Sequence, residues 1–265
     1  MSKKTIHTLI LILCAGFMAC TKVVKLPLRS APTQYVIEGN ITDQPGPYLV
    51  RIFQTTAFYD SNNFKGITGA TVQIADNQGN EELLVDNGGG NYYTRRLRGS
   101  PGNTYTLKVI IGTDTFGATS TIPSLVPLDG LVVSQITNSG KTVLVAMPEF
   151  INPPGPGLSY FFFNQTINGM LDKNLYYWSS QNSVGQANSF DLARSDPDST
   201  LHVGDSIQIE MQCIDKSMYT YWSALDAAAT GNGASYPGNP VTNLAGGALG
   251  YFSAHTSQVK GRRVN

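Results

Sequence analysis

Cys20 is the residue most disposed to chemistry. It directly follows Ala19, with Phe17 and Met18 before it, at the end of the apolar run Leu9 to Ala19. Lys3 and Lys4 give the chain a positive start, and a membrane span needs about 20 apolar residues, roughly twice this run. A small residue immediately before a cysteine at the close of such a run is the bacterial lipobox pattern. There a signal peptidase cuts and the cysteine thiol takes a diacylglycerol. Phe17 departs from the usual Leu, and Leu13 is too large to make Cys14 the rival thiol. The expectation is that residues 1–19 leave as a lipoprotein signal peptide, Cys20 carries the lipid, and residues 20–32 form a tether containing Pro27. The alternative is ordinary secretion with Cys20 a bystander.

The other reactive types are sparse. Cys213 alternates with Ile207, Ile209 and Met211 and reads as a buried strand residue, with no mature partner for an intramolecular disulfide. His202 and His255 are isolated and read as solvated or hydrogen-bonded side chains. Neither belongs to a His-Glu-x-x-His run, and no cysteine pair could bind zinc. Gly140-Lys141-Thr142 mimics the end of a phosphate-binding loop, but Gln135 stands where the first Gly is needed, so a hairpin turn is expected. Gly233-Ala234-Ser235-Tyr236 lacks the last Gly of a nucleophile elbow, because Pro237 occupies it. Ser257 and Lys260 have the spacing of an acylating pair without its companion motifs.

Asp191, Asp196, Asp198 and Asp205 gather in one polar stretch, and calcium takes oxygen ligands from such loops. Thr200 and Leu201 break the EF-type pattern, so a solvated acidic loop is expected. Asp198-Ser199-Thr200 and Asp205-Ser206-Ile207 also fit a short Asp–Ser/Thr–aliphatic glycosylation pattern. No catalytic residue, cofactor or metal is expected. Two aromatic runs remain, Tyr160-Phe161-Phe162-Phe163 and Tyr176-Tyr177-Trp178. In a strand, alternate residues face opposite ways. One face of each run should be core, and the other is free to stack on sugar rings or a protein partner.

The elements that would position these groups are mostly strands. With 27 Gly, 14 Pro, 41% hydrophobic and 14% charged residues, the composition is that of short strands joined by tight turns. Strands are expected at residues 35–41, 48–54, 71–75, 82–85, 92–97, 105–111 and 115–121, then at 131–137, 142–147, 160–167, 174–178 and 207–214. Residues 179–204 are expected to be mostly loop, and Tyr251-Phe252 a short final strand or anchor. Met218, Trp222, Leu225 and Ala229 recur at helical spacing, which predicts one helix near 216–229, with Asp215 or Ser217 as N-cap and Gly231 as its end. Pro123 and Pro127 mark a boundary. The domain expectation is a β-sandwich over 33–123 and a second β-rich domain with the helix over 124–265.

Basic and acidic residues balance at 18 each; loss of Lys3 and Lys4 leaves 16 against 18, close to −2. No basic excess exists to meet a phosphate backbone, so nucleic acid is not an expected partner.

The first half resembles transthyretin-like or carboxypeptidase-regulatory β-sandwiches, an Ig-like architecture. The similarity rests on Val36 to Asp43, Gly69-Ala70-Thr71-Val72, Gly90-Asn91-Tyr92-Tyr93 and Pro101 to Leu107. The mature chain resembles domain-of-unknown-function family 4249, lipoproteins of Bacteroidetes-type bacteria. Thr42 to Tyr48, Leu97 to Gly102, Asn239-Pro240 and Gly246 to Phe252 carry that likeness, with Val241 standing where an aromatic is usual. The resemblance implies a non-enzymatic outer-membrane lipoprotein, held to the membrane by its lipid. It also implies an accessory role beside a TonB-dependent outer-membrane transporter, and it brings no catalytic residues. The alternative is a surface lipoprotein that binds or hydrolyses glycan or peptide. Thr21 to Ile37 holds no acidic residue and does hold Lys22 and Lys25, which tilts the expectation toward the periplasmic face.

Overall fold

The computed structural model describes residues 32–56, 64–138, 140–155, 157–181, 185–192, 201–231 and 238–265. Period-two alternation sets the first layer. Strand β1 (Tyr35–Thr42) buries Ile37, Gly39 and Ile41 and leaves the intervening residues half-buried. It pairs antiparallel with β2 (Leu49–Gln54), which continues through β6 (Asn91–Tyr93) to β5 (Val85–Asp86). A facing sheet runs β4 (Glu81–Leu83), β3 (Thr71–Asp76), β7 (Thr104–Ile111), β8 (Asp114–Thr121). Ile37, Val50 and Ile52 from one sheet and Val72, Ile74, Leu107 and Val109 from the other share one core.

Tyr105 plugs this core, fully buried, where its hydroxyl accepts the Ser100 N–H at 2.8 Å and donates to the Arg98 carbonyl at 3.2 Å. The expected strand over 92–97 stops at Tyr93 for a clear reason. The Glu82 carboxylate takes the N–H groups of Arg95, Arg96 and Leu97 at 2.6–3.1 Å, which turns the chain out of the sheet.

The second layered core lies between two further sheets. One is β14 (Ala187–Ser189), β10 (Lys141–Ile151) and β9 (Gly130–Asn138). The other is β12 (Met170–Leu171), β11 (Tyr160–Ile167), β15 (Ser206–Ile214) and β17 (Gln258–Arg263), with β13 (Tyr176–Ser179) also on β11. Phe150, Phe161, Phe163, Ile207, Ile209, Met211 and Cys213 fill the space between them. The back of the β11–β15 sheet is covered by α1 (Lys216–Thr230), and Phe162, Ile214, Met218 and Tyr221 form a third, smaller core there.

Three strands fall outside the sequence expectation: β12, β14 and β17. The expected two-residue end at Tyr251-Phe252 is a full strand, β16 (Leu249–His255), parallel to β1 from Val36↔Leu249 to Thr42↔His255. Phe252 and Ala254 thereby join the first core. Gly250 is required for this approach, because it has φ +95° and an added Cβ would meet the Ile37 carbonyl oxygen at 2.1 Å. The chain then turns at Thr256 and continues as β17 against β15. Among the described residues no helix is long and apolar enough to cross a membrane.

Candidate ligand-binding site

Helix α1 is placed by its first residues. Asp215 is the N-cap: its Oδ1 accepts the Met218 N–H at 3.0 Å and the Ser217 hydroxyl at 2.5 Å. Its Oδ2 accepts the Ser120 hydroxyl at 2.6 Å and the Thr121 N–H at 3.2 Å, which ties the helix start to β8. Ser120 Oγ accepts the Ala254 N–H at 2.8 Å, so β8, α1 and β16 meet at one node. The buried stripe of α1 is Met218 and Tyr221, with Trp222 and Leu225 partly covered, so it is turned slightly from the expected 218–222–225–229 line. Tyr221 goes inward because β16 supplies Tyr251 as a partner at 5.1 Å between ring centroids.

A cleft of about 370 Å³ opens between α1, β11, β15, β16 and the residues after β12. Phe162 and Trp222 form its aromatic wall, stacked at 4.5 Å and 19°, and Tyr251 stands 5.1 Å from Trp222. Asn40, Asn164, Asp172 and Gln212 bring polar groups to it, and His255 is also among its lining residues. Strand register explains the grouping. Phe162 faces Gln212 and Asn164 faces Glu210 across the β11–β15 ladder, all on the side opposite Phe161, Phe163, Met211 and Cys213. Asn40 arrives from β1, where its Nδ2 donates to the Tyr251 hydroxyl at 3.4 Å.

Glu210 anchors the polar side. It accepts the Ser257 hydroxyl at 2.6 Å and the Asn164 amide at 2.8 Å. Burial works against its charge, but the Ser257, Asn164 and Gln212 donors and nearby His255 outweigh it and hold the carboxyl below its usual range. His255 is buried, and its Nδ1 shares a hydrogen bond with Ser253 Oγ at 2.8 Å. Burial pushes its pKa down to about 4 against the pull of Glu210, Asp43 and Asp215, so the ring is neutral at pH 7. Burial likewise raises the Tyr251 phenol, and that of Tyr221 to about 12. At the far end, Asp172 accepts the Gln165 amide at 3.0 Å and the Tyr176 hydroxyl at 2.7 Å.

Ser253 and His255 form a hydroxyl–imidazole pair, but Ser253 is 2% exposed, too enclosed for a carbonyl to reach. A second groove, of about 700 Å³ beside β4, is lined by Asp76, Glu82, Arg95, Arg96 and Arg98. Its acids are turn-makers: Asp76 caps Gln78 and Asn80, and Glu82 caps residues 95–97.

The residues singled out by sequence do not converge here, apart from the aromatics and His255. Cys20 lies outside the described residues, as do Asp196, Asp198, Ser199 and Gly233 to Tyr236. Cys213 is buried as expected, its sulfur accepting the Val126 N–H at 3.4 Å, and burial raises its thiol pKa. His202 is exposed, its Nδ1 3.6 Å from Asp205 Oδ2. His255 proves buried, at 4% exposed and hydrogen-bonded to Ser253, because β16 is a strand packed between β1 and β15 and not a free end. Gly140 does turn the β9–β10 hairpin, at φ +78°. Ser257 is held by Glu210 while Lys260 is exposed on β17, so the two form no acylating pair. Among the described residues no cluster of three His, Cys, Asp or Glu side chains could hold a metal.

The outer face of the Tyr160–Phe163 run is mostly covered by α1. The polar residues that sequence reading missed lay in the other half of an alternation already seen. In β15, Gln208, Glu210 and Gln212 alternate with Ile207, Ile209 and Met211. An amide–carboxylate–amide file on a central strand was the available signal.

Layered β-sheets around separate cores and one helix define a mainly β protein. The chain belongs to the family described as a domain of unknown function (DUF4249), whose model matches residues 21–260. A search of curated proteins returned no match.

Proposed function

We propose that this chain is a lipid-anchored, non-enzymatic component of the bacterial cell envelope that binds a ligand or partner beside an outer-membrane transporter of the TonB-dependent type. The observation that carries the binding role is the cleft itself. It joins an aromatic wall to side-chain amides, and the Ser253 hydroxyl that pairs with His255 is buried outside its lining. The Ala19-Cys20 junction supports the anchor. A tether from Cys20 to Pro32 at roughly 3.3–3.6 Å per extended residue keeps the folded part within a few tens of Å of the bilayer. Confinement of that kind raises the effective concentration of a membrane-embedded partner, so weak contacts suffice. Lys22 and Lys25, with no acidic residue from Thr21 to Ile37, favour the periplasmic face.

Replacing Cys20 by Ala and fractionating cells tests the anchor: the expected result is release from membranes or stalled processing. Crosslinking in intact membranes tests the partner, and recovery of no outer-membrane protein above background overturns the accessory role. Protease shaving of whole cells decides the face. The cleft also favours a second reading, a glycan- or peptide-binding lipoprotein at the surface, which differs in the face it occupies and in its ligand.

A further inference from the structure

We propose that the cleft between α1, β11 and β16 is a carbohydrate subsite, built to receive one uncharged pyranose ring of a neutral glycan. Its volume of about 370 Å³ falls at the small end of ligand sites, roughly 300–1,000 Å³, and suits a single ring better than an extended peptide. A pyranose has an apolar C–H face and a hydroxyl edge. Trp222, backed by the buried Phe162 on which it stacks, and Tyr251 supply a surface for the first. Planar amides, each with donor and acceptor, supply the second. The one side-chain bond of Asn40 is its Nδ2 contact to Tyr251, and that of Asn164 is its Nδ2 contact to Glu210, so both carbonyl oxygens are left for a ligand hydroxyl.

His255 is also among the residues of the cleft. Its Nδ1 is engaged by Ser253, which leaves Nε2 as the nitrogen that a ligand hydroxyl could meet, as donor or as acceptor according to the tautomer. Charge argues against an anionic ligand. No arginine lines the cleft, its one lysine, Lys173, is balanced by the aspartate Asp172, and the imidazole of His255 is neutral.

The inference rests on the reading of the chain as a binding component. The test uses the full chain, purified in a detergent without a sugar headgroup, with Trp178→Phe so that Trp222 alone reports by fluorescence. The probes are hexaoses of α-1,4-glucose, β-1,4-glucose, β-1,4-mannose and β-1,4-galactose. The expected result is a saturable change in Trp222 emission with at least one hexaose, with Kd of about 1 mM or tighter. Asn40→Ala should weaken that binding at least about tenfold while leaving the melting temperature within a few degrees. Asn40 makes a single long bond, so this variant keeps its fold even if Trp222→Ala does not. No response to any hexaose at tens of millimolar overturns the proposal. So does binding that Asn40→Ala leaves unchanged by Trp222 emission and Trp222→Ala leaves unchanged by titration calorimetry, or binding of the tripeptide Leu-Phe-Leu in place of every sugar. A hexaose that binds and is then cleaved upholds the subsite and removes the non-catalytic reading. The crosslinking result stands or falls independently.

Discussion

Acidification should destabilise this protein through His255, and the size of the effect follows from its burial. The unfolded ring takes a proton near pH 6.5, whereas the folded ring resists until about pH 4. Between those values the unfolded state binds more protons, so stability falls as pH falls. A gap of two to three pKa units corresponds to about 3 kcal/mol, of which about 2 kcal/mol is lost between pH 7 and 4.5. Glu210 adds a separate loss at lower pH, because its depressed carboxyl gives stability that vanishes only as pH drops through its folded value, below 4.5. The pH 7 to 4.5 window therefore lies above that loss, and the contribution of Glu38, whose carboxyl pKa is raised by burial, is common to wild type and variant and cancels in their difference. His255→Asn is the appropriate variant, since an amide atom can keep the Ser253 bond and cannot titrate. Urea unfolding of both proteins at several pH values gives the comparison. The wild type should lose about 2 kcal/mol more than the variant across that window. Parallel pH profiles would show that the ring titrates normally and is not enclosed.

Four further outcomes are expected. Asp215→Ala removes the helix cap and the acceptor for Ser120 and Thr121, and should cost about 2–3 kcal/mol in urea unfolding; a loss under about 0.5 kcal/mol refutes the node. Phe161→Ala should cost about 3–5 kcal/mol, whereas the exposed Leu171→Ala should stay within about 0.5 kcal/mol, as read by the same method. Cys213 should resist iodoacetamide in native buffer and label fully in denaturant, measured by mass spectrometry of its peptide; rapid native labelling contradicts its burial and raised pKa. A chain ending at Gly247 loses both β16 and β17 and should show no cooperative unfolding; a sharp transition would mean that the two sheets close without them.

Most strands were legible because alternation is a local signal. Ile207, Ile209, Met211 and Cys213 face one way whatever surrounds them, so β15 could be read to within a residue of its ends. The helix was legible for the same reason, down to the Gly231 end in a left-handed conformation. What sequence could not show was partnership at a distance. Gln258 to Arg263 carries little apolar alternation, and it is a strand because β15 has an open edge there. Likewise His255 reads as an ordinary polar residue until β16 is set between β1 and β15. The cleft needs residues from β1, β11, β15, α1 and β16 together, and no window of sequence contains them. The expected lipid attachment at Cys20 is the reverse case: it rests wholly on local sequence and falls outside the described residues.

The pairing of β1 with β16 has a consequence for how the molecule comes into being. Asn40 and Tyr251 are 211 positions apart, yet they touch. A chain made from its N-terminus must therefore wait, with nearly everything else synthesised, before its first strand gains its second neighbour. Until then β1 offers a row of unpaired N–H and C=O groups, and the Ile37–Ile41 face lacks Phe252 and Ala254 over it. Contacts this distant slow folding and lengthen the life of sticky intermediates. The last strands act as a completeness check: a chain cut short anywhere before Leu249 keeps an open edge, which marks it for capture by chaperones or proteases.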